Sequence, residues 1–157
     1  MKQLLNLTRC LAVAGLFASC QSVQQEANYQ VIPLPQEIVV EQGAPFILKS
    51  GVKILYPEGN EKMQRNAKFL ADYLKTATGE DFTIEAGTEG KNVIILALGT
   101  ENENPEAYQL KVAGDGVTIT GSTEAGVFYG IQSLRKSLPI AVGANIALSL
   151  IHISEPT

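Results

Sequence analysis

The sequence predicts an α+β fold: one mostly antiparallel sheet with two helices packed on one face. Three observations carry this. Two stretches repeat apolar residues every three or four positions, as a helix with one buried side does. Short alternating or continuous apolar runs, bounded by Gly, Pro and Ser, read as strands. Their order is β-rich, helix, strands, hairpin, helix, which is an α+β layout.

Residues 29–32 are a short β-type run stopped by Pro33-Leu34-Pro35, whose prolines hold the backbone extended. Residues 37–41, 46–49 and 52–56 are three more strand candidates. Gly43 ends the first, and Ser50-Gly51 separates the other two, a spacing that suits a small antiparallel meander. Asn60 is placed to cap the first helix, with Glu61 favourable in its first turn. Met63, Ala67, Leu70, Leu74 and Ala77 draw its apolar stripe, which Phe69 and Tyr73 widen. Lys62, Arg65, Lys68 and Lys75 mostly lie off the stripe, and Gly79 stops the helix at a left-handed position.

Phe82-Thr83-Ile84 alternates as a half-buried strand should. Residues 93–98 are apolar on both faces and read as a central strand covered on both sides. After a polar loop over 99–105, Tyr108, Leu110 and Val112 alternate with Gln109 and Lys111. Asp115-Gly116 signals a hairpin, and residues 117–120 continue the alternation. Ser122 or Thr123 caps a second helix with Val127, Phe128, Ile131, Leu134 and Leu138 on its buried face, ended by Pro139. Gly126 and Gly130 lie four apart, on one side of it. Each costs about 1 kcal/mol of helix stability relative to alanine, so the pair points to close backbone approach, read as tight helix–sheet packing within the domain.

The chain has 157 residues and 45% apolar content, enough for a real core. A net charge of −4 argues against a nucleic-acid partner, whose phosphates attract a basic face. The absence of tryptophan and the 6% aromatic content leave no obvious stand-alone sugar-stacking surface.

Residues 1–20 read as an export signal. Lys2 and Arg9 form its positive region, and residues 11–17 form an apolar stretch too short to span a bilayer as a helix. Leu16-Phe17-Ala18-Ser19-Cys20 resembles a bacterial lipoprotein processing site, in which Cys20 becomes the lipidated first residue. An ordinary cleaved leader with an incidental cysteine is the competing reading. The other cysteine, Cys10, lies within the leader, so cleavage leaves no thiol pair and stability rests on the core. Residues 21–28 are polar, lack periodicity and read as a flexible tether. The implied location is exported and membrane-anchored, in the periplasm or at the cell surface.

Two stretches carry a family resemblance: Val31-Ile32-Pro33-Leu34-Pro35-Gln36-Glu37-Ile38, and the run from Glu106-Ala107-Tyr108-Gln109-Leu110 through Gly116-Val117-Thr118-Ile119-Thr120-Gly121 to Ala125-Gly126-Val127-Phe128-Tyr129-Gly130-Ile131-Gln132-Ser133-Leu134. Together they resemble the N-terminal domain of family 20 glycoside hydrolases, the β-N-acetylhexosaminidases and chitobiases. Related accessory domains precede the barrels of α-glucuronidases. The resemblance implies a zincin-like topology without metal over 29–148. It implies a non-catalytic role beside a (β/α)8 barrel that holds an adjacent Asp-Glu pair. In that family the glutamate is the general acid, and the aspartate orients the substrate's own acetamido group for attack on the anomeric carbon, an exception to the two-carboxylate scheme. No such pair motif occurs in this sequence, so no catalytic residue carries over. The implied partners are the barrel of the same chain, a carbohydrate substrate through it, and a membrane through the lipid. Two alternatives stand beside this reading: a free-standing lipoprotein binding a glycan or partner, and the accessory domain of another glycosidase such as an α-glucuronidase.

Other candidate sites are weaker. Glu80-Asp81 follows Gly79 and reads as a solvated turn. His152 is the single histidine, too few for a metal site with this ligand supply, and no H-E-x-x-H is present. No phosphate-binding loop or dinucleotide fingerprint occurs, Gly114-Asp115-Gly116 being only a turn, so no cofactor is expected. Tyr129 beside the glycines either faces the barrel or serves the core. Residues 149–157 depart from the Pro-containing strand the family implies. They resemble translated sequencing-adaptor DNA and read as a non-native tail.

Overall fold

The computed structural model describes residues 24–30, 37–99, 102–139 and 145–155. The leader with Cys20, the start of the tether and the run 31–36 lie outside the described residues.

Two helices cover one face of a seven-stranded sheet, and a three-stranded sheet flanks it. The strands are β1 (Gln24–Glu26), β2 (Glu37–Val40), β3 (Phe46–Leu48), β4 (Lys53–Tyr56), β5 (Thr83–Ala86), β6 (Val93–Leu98), β7 (Tyr108–Ala113), β8 (Gly116–Gly121), β9 (Asn145–Leu148) and β10 (Ile151–Glu155). The helices are α1 (Glu61–Thr78), between β4 and β5, and α2 (Glu124–Ser137), between β8 and β9. The large sheet runs β2-β10-β7-β8-β6-β4-β5. Its β2, β10, β7 and β8 pair antiparallel, while β8, β6, β4 and β5 pair parallel. The parallel part follows from connectivity: a helical crossover returns the chain alongside β4, as parallel strands require.

Both helices form where the periodicity places them. The Asn60 side chain accepts from the Met63 N–H at 3.0 Å, and Gly79 takes φ +81° with its N–H donating to the Lys75 carbonyl. Thr123 caps α2, accepting from the Ala125 and Gly126 N–H groups. Met63, Ala67, Leu70, Leu74 and Ala77 are all buried, as are Val127, Ile131 and Leu134. They close on Ile54, Ile94, Leu96, Leu110 and Ile119 from the covered face of the sheet. The paired glycines serve packing inside the domain. A Cβ on Gly126 would overlap the Ala107 carbonyl oxygen, and one on Gly130 would press into Ile119 and Tyr108.

Several expectations change. The meander over 37–56 does not form: β2 pairs with β10, β3 with β9, and β4 with β5 and β6. The Ser50-Gly51 turn is real, with Gly51 at φ +87°, but a turn fixes chain reversal and not the partner. The far side of β6 is only partly covered: Val93 is buried there, but Ile95 and Ala97 are half-buried. Phe128, placed in the core by its spacing, is 36% exposed.

The tether assignment fails for its second half. Gln24–Glu26 lies parallel along β9, and the Ala27 and Asn28 N–H groups donate to Ala147 and Ser137 carbonyls. Backbone pairing of this kind needs no apolar periodicity, so composition concealed it. Within the segment read as a non-native tail, Ile151–Glu155 forms β10. β10 lies between β2 and β7 with Ile151 and Ile153 buried, because alternate apolar residues suit a strand whatever their origin.

Candidate functional site

α1 and α2 begin side by side, at the ends of β4 and β8, two members of the parallel half of the sheet. Glu124, the first residue of α2, holds them together there. Its carboxylate accepts from the Asn60 side-chain amide at 3.1 Å, and its carbonyl accepts from the Asn66 amide at 2.9 Å. Lys62 Nζ stands 3.9 Å from its other carboxylate oxygen. The Asn60 hydrogen bond, foremost, holds the Glu124 carboxyl below the usual carboxylate range. An open groove lined by Pro57, Glu58, Asn60, Lys62, Arg65 and Glu124 lies beside this junction. Sequence reasoning missed Glu124. An acidic residue directly after a capping threonine was the available signal.

Further along, the helices meet through aromatic rings. Phe69 and Phe128 have centroids 5.4 Å apart and Phe128 and Tyr129 6.3 Å. Tyr73 donates its hydroxyl to the Arg135 carbonyl at 3.1 Å, and the Arg135 guanidinium sits 5.4 Å from the Tyr73 ring centre. Tyr129 is 42% exposed, so the core role considered for it does not hold.

The remaining candidates are scattered. Glu80 and Asp81 are exposed, and Asp81 pairs with Lys75 at 2.5 Å, a hydrogen bond that raises the Lys75 pKa. His152 is half-buried in β10, opposite Lys111 and Val39. Gly114-Asp115 forms the turn between β7 and β8. Burial pushes the Tyr29 hydroxyl pKa up, and the hydroxyl donates to the Ser149 carbonyl at 3.3 Å. Among the described residues, no three His, Cys, Asp or Glu side chains gather where they could hold a metal ion. Cys20 lies outside the described residues.

The α+β layer pair, with α2 seated closely through Gly126 and Gly130, has counterparts among known proteins. Residues 28–153 match the family described as Glycosyl hydrolase family 20, domain 2, and the chain belongs to that family as a hexosaminidase N-terminal domain. It is 30% identical over 142 residues to a Beta-hexosaminidase of Porphyromonas gingivalis, covering 88% of this chain. It superimposes with TM-score 0.70 and 31% identity on the N-acetyl-beta-hexosaminidase of Streptomyces plicatus, over 80% of this chain. The GH20 beta-N-acetylhexosaminidase of Streptomyces coelicolor gives 0.65 and 30% over the same share. The match spans 17% of the Porphyromonas protein's length and 26% of each Streptomyces chain.

Proposed function

We propose that this chain is the non-catalytic N-terminal portion of an exported β-N-acetylhexosaminidase, which removes terminal N-acetylhexosamine residues from glycans. One observation carries the reading: the family match covers nearly the whole described domain, while the chain spans 17% to 26% of the hexosaminidases it resembles. The reacting groups then belong to a following (β/α)8 barrel. There a glutamic acid protonates the glycosidic oxygen. The substrate's acetamido oxygen, oriented by the neighbouring aspartate, attacks the anomeric carbon, and water later opens that intermediate with retention. This domain's part is to brace the barrel. Cys20 would carry the lipid that anchors the protein to the membrane after export.

Sequencing the gene across and beyond the codon for Leu148 tests the reading. It expects several hundred further codons with an adjacent Asp-Glu pair, and a native sequence that differs from residues 149–157. The full-length product should then cleave an aryl N-acetyl-β-glucosaminide and leave an aryl α-glucuronide intact. A stop codon after Thr157 in the native gene would overturn it in favour of a binding lipoprotein. Preference for the glucuronide would place the domain on another glycosidase. Anchoring has its own check: metabolic labelling with a palmitate analogue should mark the wild-type protein, and Cys20→Ala should abolish the mark.

A further inference from the structure

The three-stranded sheet sits at the end of the domain where the helices stop. The Asn28 N–H, just beyond β1, donates to the carbonyl of Ser137, the last residue of α2. β3 leads through the Ser50-Gly51 turn straight into the start of β4, and the Ala44 carbonyl lies beside Gly114 in the β7–β8 turn. The groove at the helix starts is at the opposite end, roughly 20–27 Å away at 1.5 Å per residue over helices of 14 and 18 residues. Within the small sheet Gln24 pairs with Asn145, and antiparallel β3 finishes with Leu48 opposite Ile146. The start of β1, the start of β9 and Lys49 therefore share one end, where Lys49, Ser50 and Gly51 are exposed. From Gln24 onward the chain is strapped down. Ala27 and Asn28 donate to backbone carbonyls, and Tyr29 packs against the core and reaches the Ser149 carbonyl.

We infer that this end of the domain is a membrane-facing surface, held at the phospholipid headgroups by the shortness of its connection to Cys20. The inference rests on the lipid-anchored reading above and does not need the catalytic one. Only residues 21–23 separate Cys20 from Gln24. Whatever path they take, the span from Cys20 to Gln24 is at most about 14 Å. That is close to the radius of a small domain, about 13 Å for 100 residues, so the domain has no room to stand clear of the bilayer. A connection left free as far as Asn28 would reach about twice as far. The net charge of −4 gives no pull toward anionic lipid. Contact comes instead from confinement, which keeps this surface at a high effective concentration near the headgroups, with the Lys49 ammonium placed to meet a lipid phosphate. The groove beside Asn60 and Glu124 then lies at the end remote from the membrane.

The test uses the full-length gene product in the membranes of an expressing bacterium, with p-benzoylphenylalanine in place of Lys49. A control carries it in place of Glu58, exposed at the helix-start groove. Irradiation should attach radiolabelled phospholipid to position 49 at least several-fold more than to position 58. Inserting about ten Gly and Ser residues after Ser22 lengthens the connection and should lower the yield at position 49 several-fold. Equal yields at the two positions, no lipid at position 49, or a yield that the insertion leaves unchanged would overturn the membrane-facing surface. Labelling of the same samples with the palmitate analogue separates the two ideas. A labelled protein with any of those results sinks the surface alone, whereas a wild-type protein without the label sinks the anchored reading and the surface with it.

Discussion

Glu124 ties the start of α2 to Asn60 and Asn66 of α1. Its folded pKa is depressed, so its contribution to stability is present above the usual carboxylate value and is lost as pH falls through the lower folded value. Melting temperatures measured between about pH 6 and pH 3 should fall for the wild type, and Glu124→Gln should flatten part of that fall. Tyr29 works in the opposite sense. Burial raises its folded pKa, so its contribution is complete below the ordinary tyrosine value and fades as pH rises beyond it. Glycines separate by their surroundings. Gly126→Ala would drive a methyl into the Ala107 carbonyl and should cost about 3 kcal/mol in urea unfolding. Gly87→Ala meets only ordinary contact with Leu55 at 3.7 Å and should stay near neutral. The glycine spacing was legible in the sequence because four residues make one helical turn. The exposure of Phe128 was not, since it depends on a ring of the other helix.

Among the elements, helices were read almost to the residue because their signals are local. Asn60, Gly79 and Thr123 cap where their chemistry directs. Asn60→Ala should lower stability by about 1 kcal/mol for the cap alone, with a further loss from the Glu124 contact. The double-mutant cycle with Glu124→Gln measures that coupling. Strand positions were also largely legible, but strand partners were not. A hydrogen-bond ladder is chosen by the whole sheet, so the neighbours of β2, β3 and β4 could not be read from the turns between them. β1 carried no signal at all, being three polar residues. In β10 the register asks for apolar residues where Ile151 and Ile153 stand. The native codons after Leu148 should therefore keep apolar residues at those two positions even if every other residue differs.

For the molecule as a whole, family membership was legible because the hairpin, strand and Gly-rich helix occur in a characteristic order. The helix junction and the ring contacts between the helices were not, because each joins residues some 60 positions apart. Phe128→Ser should lower the unfolding free energy measured in urea by about 1 kcal/mol through loss of the Phe69–Phe128 ring contact. A different consequence follows from how the two ends are stitched. Among the described residues β1 pairs only with β9 and β2 only with β10, and Tyr29 reaches Ser149 across 120 residues. At about 5–20 residues per second, a ribosome needs roughly 6–24 seconds to make that stretch. Throughout that interval the opening strands have no partner. β1 and β2 thus stay without their sheet partners until β9 and β10 are made, while β4 to β8 can pair among themselves before then.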